Sequence, residues 1–283
     1  MPQTDSLVAP RVPGTLFTPA FDRFFRTHER VMWNFSSIPF EKIDLSLITE
    51  DDINALRAAM LVESHNPVYT RVLLDYFRMD HEMAAFVVTW SYEEMKHYGV
   101  LRTYLEATGL VDLVDLEREL NETRAGPWGD IESQFTVAQS FSYTMLQEEL
   151  TGLFYQKFAR RTKEPVLRNI LTLVGKDEFR HCQWYLYKAK QVLSRNRHAR
   201  EEVEDLLLRF EMPGPSFIQE YGKHGYAMLK VAPPDANSFR QVMARVGELT
   251  GRTHWGKLAT DPIYVRKLRE EWGMEPREVL SLP

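Results

Sequence analysis

Apolar residues recur three and four apart along most of this chain, the spacing that lines one face of an α-helix, and no segment alternates apolar with polar residues as a strand would. Ile53, Leu56, Met60 and Leu61 form such a stripe behind Thr49, whose hydroxyl followed by Glu50, Asp51 and Asp52 is a strong helix start. The stripe leads to Glu63, and Pro67 is expected to kink or interrupt the helix just beyond it. Asp80 caps a long helix predicted over about 81–108 and stopped by Gly109. Two more long helices are predicted over about 130–161 and 165–194, the second with Pro165 in its first turn. Shorter helices are expected over about 18–33 and 112–120, with a Pro-rich arm over 1–16 and a turn-rich stretch over 125–130. The tail, 195–283, reads as further helices broken at Pro213-Gly214-Pro215 and Pro233-Pro234. The expectation is an all-α protein: a four-helix bundle core over about 49–194 with flanking helices over 195–283. No Gly- or Ser-rich linker divides it, so 1–283 is expected to be one domain.

Two of the long helices carry the same short motif. Glu94-x-x-His97 and Glu178-x-x-His181 each put a carboxylate and an imidazole on one helix face, and each has a Glu on the preceding long helix, Glu63 and Glu148, at almost the same distance upstream. Chance alone supplies on the order of one Glu-x-x-His in a chain with this much Glu and His, so the motif by itself decides little. The duplication within paired helices decides more: four carboxylates and two imidazoles are the ligand set of di-iron or di-manganese helix bundles. A mixed carboxylate and imidazole shell suits iron or manganese better than zinc. Buried together without cations, four carboxylates would protonate or destabilise the fold, whereas two divalent ions balance their charge.

Neighbours of the motifs invite comparison. Glu93 and Glu149 abut the ligand candidates, but each lies about 100° round its helix, so Glu94 and Glu148 are preferred. His65 points to another face than Glu63 and reads as a surface or supporting group. Cys182, next to His181, reads as packing.

The net charge of −5 excludes a general nucleic-acid binder, which needs a basic excess. The lone cysteine excludes an intramolecular disulfide framework. No apolar run reaches the length of about 18 residues that a membrane span requires, and no basic segment followed by an apolar run opens the chain. A soluble, cytoplasmic protein is the expectation.

The residues around the motifs resemble a known family. Glu93-Glu94-Met95-Lys96-His97 and Asp177-Glu178-Phe179-Arg180-His181 are similar to the two ligand motifs of soluble acyl-acyl-carrier-protein desaturases. Tyr143-Thr144-Met145-Leu146-Gln147-Glu148-Glu149-Leu150-Thr151 looks like that family's third ligand helix, and Glu63 with Pro67 and Tyr69 like its first. The resemblance implies a ferritin-like fold, two Fe ions on Glu63, Glu94, His97, Glu148, Glu178 and His181, and O2 as co-substrate. It implies electrons from ferredoxin and a cis double bond inserted into a fatty acyl chain on acyl carrier protein, by a homodimer. It also implies roles for Thr151, near the O2-binding side, and for Asp177, in a proton and electron relay to a histidine ligand. Met95-Lys96 and Tyr98 depart from the family's usual residues, and the chain is shorter. Two other functions share the ligand set: a di-iron N-oxygenase or hydroxylase of a small or carrier-bound substrate, and a ferritin-like iron-binding protein.

A carrier protein is acidic, and two basic segments could steer it: Lys157, Arg160, Arg161, Lys163 and Arg168, then Lys188, Lys190, Arg195, Arg197 and Arg200. Solvated helix faces account for these charges equally well.

Overall fold

Each helix carrying a motif residue begins at a side chain that satisfies its free amides. Thr49 and Asp52 form a reciprocal capping box at the start of α2 (Glu50–Glu63), and Asp80 accepts from the Met83 amide at the start of α4 (His81–Thr108). Gly109 ends α4 at φ 64°, in the left-handed region that glycine adopts without strain. Thr136 and Gln139 make a second capping box for α6 (Val137–Arg161), so that helix begins later than the expected 130, where this box sets the turn. Glu164 caps α7 (Pro165–Arg195), with Pro165 in the first turn.

The computed structural model describes residues 18–125, 135–196, 198–208, 210–212, 218 and 221–251, with isolated positions further on. The remaining helices are α1 (Pro19–Val31), α3 (Asn66–Phe77), α5 (Leu113–Ala125), α8 (His198–Leu208), α9 (Tyr221–Val231) and α10 (Ala236–Thr250). Three single 3-10 turns, Phe35–Ser37, Phe40–Lys42 and Leu45–Leu47, join α1 to α2. No strand occurs among the described residues. Pro67 does interrupt the first ligand helix: α2 stops at Glu63, and Pro67 falls in the first turn of α3, where its missing N–H costs nothing. Pro233-Pro234 separates α9 from α10 as expected. The arm over 1–16, the turn after Ala125 and the break at 213–215 lie outside the described residues.

α6 and α7, joined by three residues, form the most extensive helix pair, while α2 and α3 pack on α4. Two glycines allow the close approach of α6 and α7. A Cβ on Gly152 would meet the Phe179 ring at 2.9 Å, and one on Gly175 would sit 3.2 Å from Tyr155 Cβ. The apolar interior has two blocks. One gathers Leu56, Met60, Leu101, Tyr104, Phe158 and Ile170; the other gathers Phe86, Trp90, Phe141, Met145, Trp184 and Tyr185. Along α4 and α7 the motif residues fall between these blocks, and on α6 Glu148 sits among residues of the second, so the polar layer is enclosed by apolar packing. Among the described residues no helix is long and apolar enough to cross a membrane.

Glu164 ties this frame together. Fully buried, it accepts from the Leu167 amide at 2.6 Å, the Tyr104 hydroxyl at 2.9 Å and the Asp44 amide at 3.3 Å. Glu164→Ala leaves two buried donors, the Leu167 amide and the Tyr104 hydroxyl, unsatisfied and removes the partner of the Asp44 amide, a cost of about 3 kcal/mol. Thermal unfolding monitored by circular dichroism should show Tm lowered by about 6–12 °C, with Glu164→Gln, which keeps an acceptor, falling less.

Candidate metal centre

The last residue of α2 brings Glu63 into the polar layer; α4 contributes Glu94 and His97, α6 Glu148, and α7 Glu178 and His181. All six side chains are buried. Their donor atoms form two groups, each within a 4.8 Å span: Glu63, Glu94, His97 and Glu178 in one, Glu94, Glu148, Glu178 and His181 in the other. Glu94 and Glu178 belong to both.

The atoms divide in the way bridging requires. His97 Nδ1 lies 3.2 Å from Glu178 Oε1, 3.6 Å from Glu94 Oε2 and 3.9 Å from Glu63 Oε2. His181 Nδ1 lies 3.1 Å from Glu94 Oε1, 3.4 Å from Glu148 Oε2 and 3.9 Å from Glu178 Oε2. Each shared carboxylate therefore turns one oxygen to each half. Glu94 Oε1, Glu178 Oε1 and both Nδ1 atoms are buried and make no hydrogen bond, although they face one another. Inward donors that satisfy nothing else suit a pair of divalent cations. Charge leads to the same fit. Two carboxylates about 4 Å apart repel by about 4 kcal/mol at an effective dielectric of 20, and four positive charges in their midst reverse the sign.

The outward atoms are all held. His97 Nε2 lies 3.2 Å from Asp177 Oδ2, and His181 Nε2 lies 2.9 Å from Glu93 Oε2. The arrangement is crossed: the acid preceding the α7 ligand orients the α4 imidazole, and the acid preceding the α4 ligand orients the α7 imidazole. With Nε2 donating to a carboxylate, Nδ1 is left bare for a metal. Arg180 Nη2 bridges the two orienting acids, at 2.8 Å from Glu93 Oε1 and 2.7 Å from Asp177 Oδ1. Trp33 Nε1 donates to Asp177 Oδ2 at 2.7 Å, and His28 Nδ1 lies 3.4 Å from Glu93 Oε2. The terminal carboxylates each take one aromatic donor, the Tyr155 hydroxyl on Glu63 and Trp90 Nε1 on Glu148 at 3.1 Å.

Burial pushes the Glu63 carboxyl well above the usual range, reinforced by Glu94 and Glu178, and does the same to Glu148, reinforced by Glu178. Burial also opposes charge on Glu94, but the adjacent imidazoles outweigh it and hold Glu94 well below that range. Burial disfavours imidazolium as well, yet the carboxylates around His97 and His181 raise both well above the ordinary histidine value. The raised imidazole values favour protonated His97 and His181 among the carboxylates, and bound cations would take over that compensation of charge.

All six sequence-derived ligand candidates lie in this one cluster. Asp177 is buried against His97. Thr151 lies one turn beyond Glu148 on α6, where its hydroxyl donates to the Gln147 carbonyl at 2.9 Å. Glu93 is the residue that helical phase alone undervalued: it points away from the centre, as expected, but towards the outer edge of His181. The signal for it was present, since each ligand glutamate is preceded by an acid in both motifs. His65 proves buried, not a surface group, and burial lowers its pKa to about 4. Cys182 is buried with its thiol 3.1 Å from Glu149, outside both donor groups.

The basic segments are partly consumed within the chain. Lys157 pairs with Asp235, Arg161 with Asp51 and Asp52, Lys188 with Asp80 and Glu82, and Lys190 with Glu248. Arg160, Lys163, Arg168, Arg195 and Arg200 remain exposed, and Arg197 lies outside the described residues.

The fold and the cluster define an all-helical protein with a buried, carboxylate-rich dinuclear metal site. The profile of the family described as fatty acid desaturase matches residues 42–274, and the chain belongs to that family. It is 26% identical over 174 residues to stearoyl-acyl-carrier-protein 9-desaturase 6, chloroplastic, of Arabidopsis thaliana, covering 58% of this chain and 44% of that protein. It is 26% identical over 163 residues to a putative acyl-acyl-carrier-protein desaturase of Mycobacterium tuberculosis, covering 55% and 48%. The chain spans about half the length, or less, of these relatives. Among solved structures, a variant of R2-like ligand-binding oxidase with a reconstituted Mn/Fe cofactor is similar at TM-score 0.55 and 16% identity, over 82% of this chain and 94% of that one. R2-like ligand-binding oxidase from Sulfolobus acidocaldarius is similar at TM-score 0.52 and 14% identity, over 92% and 94%. These two likenesses establish the fold.

Glu93→Gln removes the acceptor charge behind His181 while preserving shape. Equilibrium dialysis against Mn(II) should show affinity reduced roughly 10- to 100-fold with helicity unchanged.

Proposed function

We propose that this protein is an O2-dependent di-iron desaturase that inserts a double bond into a fatty acyl chain carried on acyl carrier protein. The observation that carries the reading is the split of Glu94 and Glu178, one oxygen towards each half of the six-residue cluster. Membership of the fatty acid desaturase family supports a fatty acyl substrate. Glu63, Glu94 and His97 with Glu178 would hold one iron, and Glu94, Glu148, Glu178 and His181 would hold the other. Bound iron would supply O2 activation, the chemistry that the carboxylates and imidazoles cannot provide. In the overall reaction two adjacent methylenes lose two hydrogens, a ferredoxin-like donor adds two electrons, and with two protons O2 becomes two waters.

The chain's own residues orient the ligands and manage charge. Asp177 holds His97 and accepts from the Trp33 indole, forming a hydrogen-bonded line from the segment after α1 to His97, the route we assign to protons and electrons. Thr151, one turn past Glu148, is assigned to proton delivery on the O2 side. The enclosing apolar blocks exclude water from the oxidising site. We assign carrier docking to Arg160, Lys163 and Arg168, the cations of the first basic segment that no acid of the chain pairs in the contacts described. A homodimer would cover the exposed apolar side chains of Val88, Tyr92 and Met95 on α4. The whole chain acts as one domain, in the cytoplasm.

Iron-loaded protein should contain two irons per chain with the Mössbauer signature of a coupled pair, and a His97→Ala and His181→Ala double variant should not load. Given a reductase system and O2, it should convert acyl-carrier-protein thioesters to unsaturated products. Oxygenated amines or aromatic acids with no consumption of acyl carrier would instead establish the N-oxygenase or hydroxylase reading, and loading far beyond two irons the storage reading. Thr151→Val should keep both irons and lose turnover. Reversal of Arg160 and Lys163 to Glu should raise KM for the carrier-bound substrate at low salt and leave kcat nearly unchanged.

A further inference from the structure

Glu149, the residue after ligand Glu148, is fully buried and takes no part in the metal cluster. Its carboxylate is satisfied from two directions. Gln241 Nε2 donates to Oε1 at 2.7 Å, and Arg245 Nε donates to Oε2 at 3.1 Å; both come from one face of α10. Cys182 Sγ donates to Oε2 at 3.1 Å, and Cys182 is the residue after ligand His181 on α7. Arg245 is itself steadied by Glu248 at 3.1 Å, which holds Lys190 of α7 at 2.6 Å. One carboxylate therefore joins α6, α7 and α10 at the residues that adjoin two ligands of the same half of the centre. The other half, Glu63 and His97 with the shared glutamates, has no such tie to α10 in the contacts described.

We propose that Gln241 and Arg245 of α10 are positioning residues for the Glu148 and His181 half of the metal centre; this rests on the dinuclear reading given above. The lever is rotational. Neighbouring residues on a helix differ by about 100°, so holding Glu149 and Cys182 outward fixes the direction in which Glu148 and His181 point inward. Without Arg245 the Glu149 carboxylate is an uncompensated buried charge, and the contact that fixes the rotation of α6 against α10 is lost. Rotation of α6 by about 10° moves a donor oxygen roughly 6 Å from the axis by about 1 Å, beyond the tolerance of about 0.5 Å for a preorganised site.

The test counts metals, half by half, in the full-length protein. Wild-type protein, Arg245→Met and Gln241→Leu are titrated with Mn(II), with unbound ion measured by EPR and the bound spectrum read for spin coupling. Two coupled ions in the wild type are the premise; their absence would defeat the dinuclear reading itself and not this step. Folded Arg245→Met should retain about one Mn(II) per chain, with an uncoupled spectrum. Gln241→Leu removes one neutral hydrogen bond and keeps the charge pair, so it remains testable if Arg245→Met does not fold. It should weaken the second ion about tenfold and the first less than twofold. Equal weakening of both ions in Gln241→Leu, or no weakening of either, would overturn the proposal, as would two coupled ions at wild-type affinity in folded Arg245→Met.

Discussion

Four carboxylates gathered in an apolar interior repel one another, and much of the architecture answers that repulsion. The polar layer is enclosed by two apolar blocks that shut out the water which would otherwise screen it. Two imidazoles sit among the acids, charged by them when no metal is bound. The donor atoms facing inward make no hydrogen bond, while those facing outward are held. Positive charge among the carboxylates, from protons on the imidazoles or from bound cations, offsets that repulsion, and this requirement leads from fold to function.

The outward contacts extend the same logic by a second layer. Asp177 and Glu93 orient the imidazoles, Arg180 neutralises both acids at once, and Trp33 completes Asp177. The crossing of acid and histidine between α4 and α7 makes the two helices mutually dependent. Neither imidazole is aligned unless both helices keep their register. Gly152 and Gly175 allow α6 and α7 to come close enough for α7 to present its ligands beside Glu148.

Beyond the bundle, charge is spent on cohesion. Lys157, Arg161, Lys188 and Lys190 look like a docking surface along the chain, yet folding pairs each with an acid from another segment. Of these cations Lys188 is buried and Lys157 mostly so, and all four pairings remove charge from the field a partner would encounter. What remains for a partner is a smaller set, Arg160, Lys163 and Arg168 around the turn between α6 and α7, and Arg195 and Arg200 at and beyond the end of α7.

Helical periodicity, the caps at Thr49 and Asp80, the stop at Gly109 and the paired Glu-x-x-His motifs are local properties, and they were legible because i and i+3 spacing on a helix is a geometric certainty. Local spacing alone therefore carries the all-helical chain and its six ligand candidates, and the match to residues 42–274 gives that reading its family. The start of α6 was missed because the Thr136–Gln139 box outweighs the polar residues before it. Helix packing sets the rest: which oxygen of Glu94 faces which histidine, that Glu93 reaches across to His181, that Tyr155 donates to Glu63, and that α10 completes Glu149. These contacts join residues far apart in sequence, and the direction of a side chain across a helix interface depends on how the helices pack, which no periodicity within one helix encodes.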